Sequence, residues 1–270
     1  MGQTIHAIRM ETVTVGDVDV PTLGLGTYTL RGEECERVVG EALSLGYRHI
    51  DTAEFYDNQA SIGAAIEAAD VPREELFVTT KIWQTNLERE DARRSALESL
   101  DELGINYVDL LLIHWPDESV PLAETIGAMN RLQSEGRVRH IGVSNFSISQ
   151  LRTAMSVSET PILTNQVEYH PHRDRTDLRE VCVDNDVVLT AYSPLAKGRV
   201  ATDETLAAIG RTYDRSAAQV ALRWLVQQEN VVAIPKASRH EHLVANRAIF
   251  DFELTDEEME RIADLGTGVD

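Results

Sequence analysis

The stretch His49-Ile50-Asp51-Thr52-Ala53-Glu54-Phe55-Tyr56-Asp57-Asn58 ends a short apolar run in a carboxylate and follows it, across a polar turn, with a phenol. Two further apolar runs repeat the arrangement: residues 76–80 lead into Lys81, and residues 108–113 lead into His114. Each run reads as a buried strand, and each delivers one ionisable group at its C-terminal end. Parallel strands put such ends on one edge of a sheet, so the three groups are expected to share a site.

Outward from these three, β-rich runs recur along the chain. Strand candidates occupy residues 23–26, 49–51, 76–81, 108–114, 140–143, 163–167, 187–191 and 231–234. Between them lie segments with helical spacing, at 33–45, 89–103, 121–135, 147–155, 177–185 and 216–228. Val38, Ala42 and Leu45 in the first, and Ala96, Leu97, Leu100 and Leu103 in the second, fall on one helical face of the kind that packs on a sheet. Strands alternating with crossover helices are parallel, and eight such units predict an α/β fold of the closed (β/α)8 TIM barrel type. The rival, an open doubly wound sheet, carries Gly-x-Gly-x-x-Gly at its first helix; Gly24-Leu25-Gly26-Thr27-Tyr28-Thr29 lacks the third glycine. Residues 8–20 alternate apolar and polar around Gly16-Asp17, a hairpin closed by Pro21 and expected to cap the barrel bottom. At 270 residues the chain fits a single barrel domain spanning 1–270, and no linker or repeat marks a second.

Composition narrows the functional classes. No apolar stretch is long enough to span a bilayer and residues 1–15 lack an apolar signal core, so a soluble, cytoplasmic protein with no membrane partner is expected. Cys35 and Cys182 sit in helical patterns and read as buried thiols. Forty-five acidic against 25 basic residues leave a net charge of −20, which disfavours nucleic acid as a partner. Only three of the basic residues are lysines: Lys81, Lys197 and Lys236. An acidic, lysine-poor surface is the pattern of a halophilic protein, in which salt screens self-repulsion. The three lysines that remain are expected to mark positions where an amine matters.

In a barrel the site lies at the C-terminal strand ends, so Asp51, Lys81 and His114 share one mouth, with Tyr56 on the loop above. A free phenol has a pKa of about 10. The ammonium of Lys81 lowers it, and Asp51 holds Lys81 charged despite burial. Tyr56 can then give a proton to a carbonyl oxygen, with His114 orienting that carbonyl or sharing the donor role. Taken singly, the aspartate could be a turn residue, the lysine a strand-end residue and the histidine part of the core; convergence from three strand ends favours the site. The pairs His170/His172 and His240/His242 have no obvious third ligand, so no metal is expected.

The segments Gly46 to Tyr56, Lys81-Ile82-Trp83, Leu112-Ile113-His114-Trp115-Pro116, Gly142-Val143-Ser144-Asn145-Phe146 and Ile234-Pro235-Lys236 resemble the aldo-keto reductase family, over residues 23–254. The likeness is to its short prokaryotic members, such as the 2,5-diketo-D-gluconate and glyoxal reductases. The resemblance implies NAD(P)H-dependent reduction of aldehydes and ketones to alcohols. In that reading Tyr56 is the proton donor, Asp51 and Lys81 tune it, and His114 positions the substrate. The cofactor is NADPH, with NADH as the alternative, and the family's usual form is a monomer.

The resemblance also assigns the cofactor positions. Gly26, Thr27 and Tyr28 end the first strand, and Asp51 lies near the ribose. Ser144, Asn145 and Gln166 match the residues that bind the carboxamide, and Tyr192 the aromatic that stacks on nicotinamide. Ser193, Leu195 and Lys197 match the pyrophosphate loop. At the adenosine end Lys236, Ser238, Arg239, His242 and Asn246 correspond, but His242 stands where an arginine usually grips the 2′-phosphate and Ala245 where a glutamate is usual. Tyr28, Trp83, His114 and Trp115 are expected to wall the pocket for a small-molecule carbonyl substrate. Little follows Leu265, which suggests an open, weakly selective pocket. An alternative reading is a regulatory module that keeps the barrel and the cofactor but has little turnover.

Overall fold

Eight parallel strands curl into a barrel in the computed structural model, which describes residues 10–267. A two-stranded hairpin comes first: β1 (Thr12–Val15) pairs antiparallel with β2 (Val18–Pro21) across Gly16, whose φ of 60° suits the turn. The first two residues of the expected hairpin, Ile8 and Arg9, and the last three of the tail lie outside the described residues. The barrel strands are β3 (Leu25–Gly26), β4 (His49–Asp51), β5 (Phe77–Ile82), β6 (Val108–Ile113), β7 (Val138–Ser144), β8 (Ile162–Glu168), β9 (Val188–Tyr192) and β10 (Val231–Ala233). Each pairs with its sequence neighbour, as right-handed βαβ units require. The runs β4, β5 and β6 are buried at every residue, which is why they do not alternate apolar with exposed polar positions; the polar residues within them, such as Thr79, Thr80 and Asp109, are buried as well.

Closure of the barrel explains the two early glycines. Ala233 N donates to Thr22 O at 2.8 Å and Gly24 N to Ala233 O at 2.9 Å, joining the last strand to the first. A Cβ on Gly26 would stand 2.6 Å from Ile234 O, a clash that only glycine avoids. Gly24-Leu25-Gly26 therefore serves strand contact. Inside the barrel Leu110, Leu112, Leu163, Val188, Val232 and Ile234 form one apolar cluster. Val15 and Val20 of the hairpin and Phe77 at the start of β5 join that cluster, so the hairpin seals the end opposite the site.

The expected helices are α1 (Gly32–Ser44), α3 (Arg89–Leu103), α4 (Leu122–Ser134), α5 (Ile148–Val157), α6 (Thr176–Asp184) and α8 (Ala217–Val226). In α1 the predicted stripe is buried at Val38 and Ala42, while Leu45 is the C-cap. Four more helices escaped the periodicity: α2 (Gln59–Ala68), α7 (Glu204–Tyr213), α9 (His240–Arg247) and α10 (Asp256–Ala263). For α2 the reason is small residues where a broad apolar stripe is expected. Its Gly63 lies so close to α3 that a Cβ would stand 2.4 Å from Leu103 O. Cys35 and Cys182 are both buried and free. Among the described residues no helix is long and apolar enough to cross a membrane.

Candidate active site

Asp51 is the last residue of β4, Lys81 the fifth of β5, and His114 follows β6 directly, so parallel register brings all three to one end of the barrel. Asp51 is held by its own backbone: its carbonyl accepts from both the amide (3.1 Å) and the hydroxyl (2.9 Å) of Thr27. Tyr56 ends a 3-10 turn, Glu54–Tyr56, that springs from β4 and is stopped by Asp57 at a φ of 50°. Glu54 pins that turn sideways, its carboxylate accepting from Trp83 N, Asn86 Nδ2 and Ser95 Oγ. The sequence alone did not single out Glu54, because its partners come from a different strand end and helix.

Lys81 is completely buried, and its ammonium has three acceptors for three hydrogens. Nζ lies 2.6 Å from Asp51 Oδ1, 2.8 Å from Thr52 O and 3.4 Å from Tyr56 Oη. Burial pulls the Lys81 pKa down, but the Asp51 carboxylate and the Tyr56 phenol outweigh it, and the net direction is up. The ammonium therefore stays charged.

For Tyr56 the balance corrects the sequence expectation. Lys81 does act to lower the phenol's pKa, but desolvation is larger and leaves it above the usual tyrosine range. The phenol thus holds its proton at neutral pH, the state that a proton donor needs. Burial, with help from Lys81, pushes His114 down to about 3, so its ring is neutral. His114 Nδ1 is buried without a partner. The tautomer that puts the proton on Nε2 avoids burying an unpaired N–H and turns a donor to the cleft.

These groups open into a cleft of about 720 Å³. At one end Tyr28, Phe55 and Trp115 are 55%, 51% and 40% exposed, an apolar rim of the kind that marks a binding site. Trp83 sits edge-on to His114, ring centroids 5.0 Å apart, and stacks on Phe55 at 3.9 Å. Phe55 is thus a wall residue that motif reading passed over, although its position beside Tyr56 was a usable signal.

The far side of the cleft is a polar chain. Gln166 Nε2 donates to Asp51 Oδ2 at 2.7 Å, Ser144 Oγ to Gln166 O at 2.9 Å, Asn145 Nδ2 to His114 O at 3.0 Å, and Tyr192 Oη to Asn145 Oδ1 at 3.0 Å. Beyond Tyr192 the lining continues through Ser193, Leu195, Lys197 and Gly198, then Pro235 and Lys236. Ser193, Ala196, Lys197 and Gly198 all have positive φ, a coiled loop rather than a helix. Lys197 and Lys236 line the cleft and Lys81 lies beneath it, so the chain's only three lysines surround one cavity. Ser238, Arg239, His242 and Asn246 do not line it; they lie along the approach to α9 and on it. There Arg239 Nη2 is 2.6 Å from His242 Nε2, and Arg239 Nε is 3.3 Å from Glu241.

The two other histidines of sequence interest, His170 and His172, face Glu168 at 3.5 Å and Asp203 at 3.6 Å respectively. Among the described residues no three His, Cys, Asp or Glu side chains gather as a metal site.

Comparison with known proteins decides the family. The profile of the Aldo/keto reductase family matches residues 22–266, nearly the whole described chain. The chain belongs to the aldo/keto reductase family. It is 42% identical to an aldo-keto reductase of Mycobacterium avium, over 95% of this chain and 90% of that one. It is 39% identical to the glyoxal reductase of Bacillus subtilis, over 91% of this chain and 88% of that one. A crystal structure of an aldo-keto reductase of the silkworm Bombyx mori, complexed with NADPH, superposes with a TM-score of 0.90 at 31% identity, covering 97% of this chain and 89% of that one. This aldo-keto reductase is accordingly an oxidoreductase of carbonyl groups.

Proposed function

We propose that the protein reduces aldehydes and ketones to alcohols with NADPH, and that Tyr56 supplies the proton. The observation that carries the reading is the Lys81 ammonium, buried and charged, 2.6 Å from Asp51 and 3.4 Å from the Tyr56 hydroxyl.

The substrate carbonyl lies with its oxygen against Tyr56 Oη and His114 Nε2. A nicotinamide cofactor, when bound, supplies a hydride to the carbonyl carbon. As charge gathers on the oxygen, Tyr56 transfers its proton there and becomes a phenolate. Lys81 stabilises that phenolate, and Asp51 keeps Lys81 charged and oriented throughout. His114, neutral, donates a hydrogen bond without competing for the proton. Phe55 and Trp83 pack against the His114 ring and limit water on that side.

The cleft suits a dinucleotide along its length. Ser144, Asn145 and Gln166 offer the mixed donors and acceptors that a carboxamide needs, and the Tyr192 ring lies beside them for stacking. Lys197 and Lys236 have no carboxylate partner among the described residues and line the polar end, where they would meet the cofactor's phosphates. Arg239, whose guanidinium is held against His242, is the further cation for a 2′-phosphate, with Ser238 and Asn246 completing that end. NADH use is the lesser activity. The enzyme works as a cytoplasmic monomer, and its net charge of −20 suits it to high salt.

The test is absorbance-followed oxidation of NADPH and NADH with aldehydes and dicarbonyls in molar potassium chloride, comparing wild type with Tyr56→Phe. Turnover that falls by about 10²-fold or more in the variant is the expected result. A folded wild type that binds cofactor and turns over nothing would instead make the protein a cofactor-dependent regulatory module.

A further inference from the structure

Beside the catalytic cleft lies a second recess of about 510 Å³, between the segments that follow β7 and β8. Trp115, Asn145 and Tyr192 line both cavities, so the two are continuous across the exposed Trp115 ring. The floor carries two arginines in different circumstances. Arg173 is neutralised, donating from Nη1 to the Glu168 carboxylate. Arg175 is not: its Nε donates to Glu168 O at 3.1 Å, which fixes the plane of the guanidinium, but among the described residues neither Nη group has a hydrogen bond or ion pair.

Two of the three carboxylates that line the recess are already engaged, and the third, Asp177, is exposed in the first turn of α6. Glu168 is held by Arg173, and Asp174 Oδ1 accepts from the amide (2.8 Å) and hydroxyl (2.7 Å) of Thr176. Arg175 is left half-buried with its positive neighbour Arg173 close by, and burial first and Arg173 second act against its charge. An anion placed between the Nη groups relieves both effects. A carboxylate matches the fork geometry, with two parallel N–H donors for two oxygens.

We propose that this recess binds the carboxylate of a substrate whose aldehyde or ketone group sits between Tyr56 and His114, with Arg175 as the residue that selects it. The inference rests on the reductase reading above and adds the substrate class: carbonyl compounds that carry a carboxylic acid at a distance, with Trp115 as the surface over which the connecting atoms lie. A protein of net charge −20 repels such substrates at long range. In molar salt the Debye length is only about 3 Å, so a contact-range guanidinium decides the outcome.

The experiment compares 4-carboxybenzaldehyde with its methyl ester, using wild type, Arg175→Gln and Arg175→Lys with NADPH in molar potassium chloride. The acid-to-ester ratio of kcat/KM falls about tenfold or more in Arg175→Gln, chiefly through the KM of the acid, and partly recovers in Arg175→Lys. A ratio that stays within about twofold across all three proteins would overturn the subsite. Calorimetric titration of the alcohol product, 4-(hydroxymethyl)benzoate, in the presence of NADP+ needs no turnover. Binding weakened about tenfold in Arg175→Gln supports the subsite even if the wild type reduces neither aldehyde; binding that is equal in both, or absent from the wild type, removes it.

Discussion

Asp51 divides its two carboxylate oxygens between opposite walls of the barrel: Oδ1 accepts from Lys81 Nζ at 2.6 Å, and Oδ2 accepts from Gln166 Nε2 at 2.7 Å. One side chain thereby couples the group that keeps Lys81 charged to the group that faces the proposed carboxamide site.

Removing the charge of Asp51 strands the Lys81 ammonium. Lys81 is completely buried, so Asp51→Asn is expected to destabilise the fold by about 3–5 kcal/mol, because an uncompensated buried charge remains. Urea denaturation checks this. The double variant Asp51→Asn/Lys81→Met regains much of the stability, having no buried charge left to solvate, but recovers no turnover.

His114 makes folding sensitive to acid. Its folded pKa is depressed to about 3, against an unfolded value of about 6.5, so below pH ~6.5 the unfolded chain binds the extra proton. The stabilising contribution is complete above that pH and is lost as pH falls toward 3, by on the order of a few kcal/mol. The urea midpoint of wild type is expected to drop more between about pH 7.5 and about pH 4.5 than that of His114→Gln. Equal drops would remove His114 as the source.

Lys197 and Lys236 line the cleft and, among the described residues, pair with no carboxylate. Replacing either by methionine is expected to raise the KM for NADPH about tenfold, the loss of one charge-assisted hydrogen bond, with little change in thermal midpoint. Lys236→Met is also expected to narrow the ratio of NADPH to NADH efficiency. Steady-state kinetics with each cofactor measure both effects.

Glu54 never reaches the cleft centre, yet it ties the Tyr56 turn to Trp83, Asn86 and Ser95. Glu54→Ala leaves those donors without partners and is expected to lower stability by about 1–3 kcal/mol. It should also lower kcat more than it raises KM, since a displaced Tyr56 affects proton delivery rather than binding. An unchanged kcat would show that the Tyr56 turn holds its place without Glu54.

The barrel could be read from the chain because its strands are buried on both faces and so are written as short, mainly apolar runs without alternation, such as 76–80 and 108–113. The positions of Asp51, Lys81 and His114 followed from the same rule, since parallel strands share one C-terminal edge. Helix α2 could not be read in this way. Its close packing on α3 is made by Gly63, and a missing side chain leaves no apolar mark in the sequence.

What remained for the tertiary structure was every property that depends on distance. The sequence identified an ammonium and a phenol, but whether desolvation or Lys81 dominates at Tyr56 is set by burial and by a 3.4 Å separation. Arg173 and Arg175 differ by two positions and not at all in residue type, yet one is neutralised by the Glu168 carboxylate, while the other bonds only the Glu168 carbonyl and has no ion pair among the described residues. Periodicity and motif spacing report which side of an element a residue occupies. Electrostatic interactions fall off over a few ångströms, and only the packed chain determines which groups come that close.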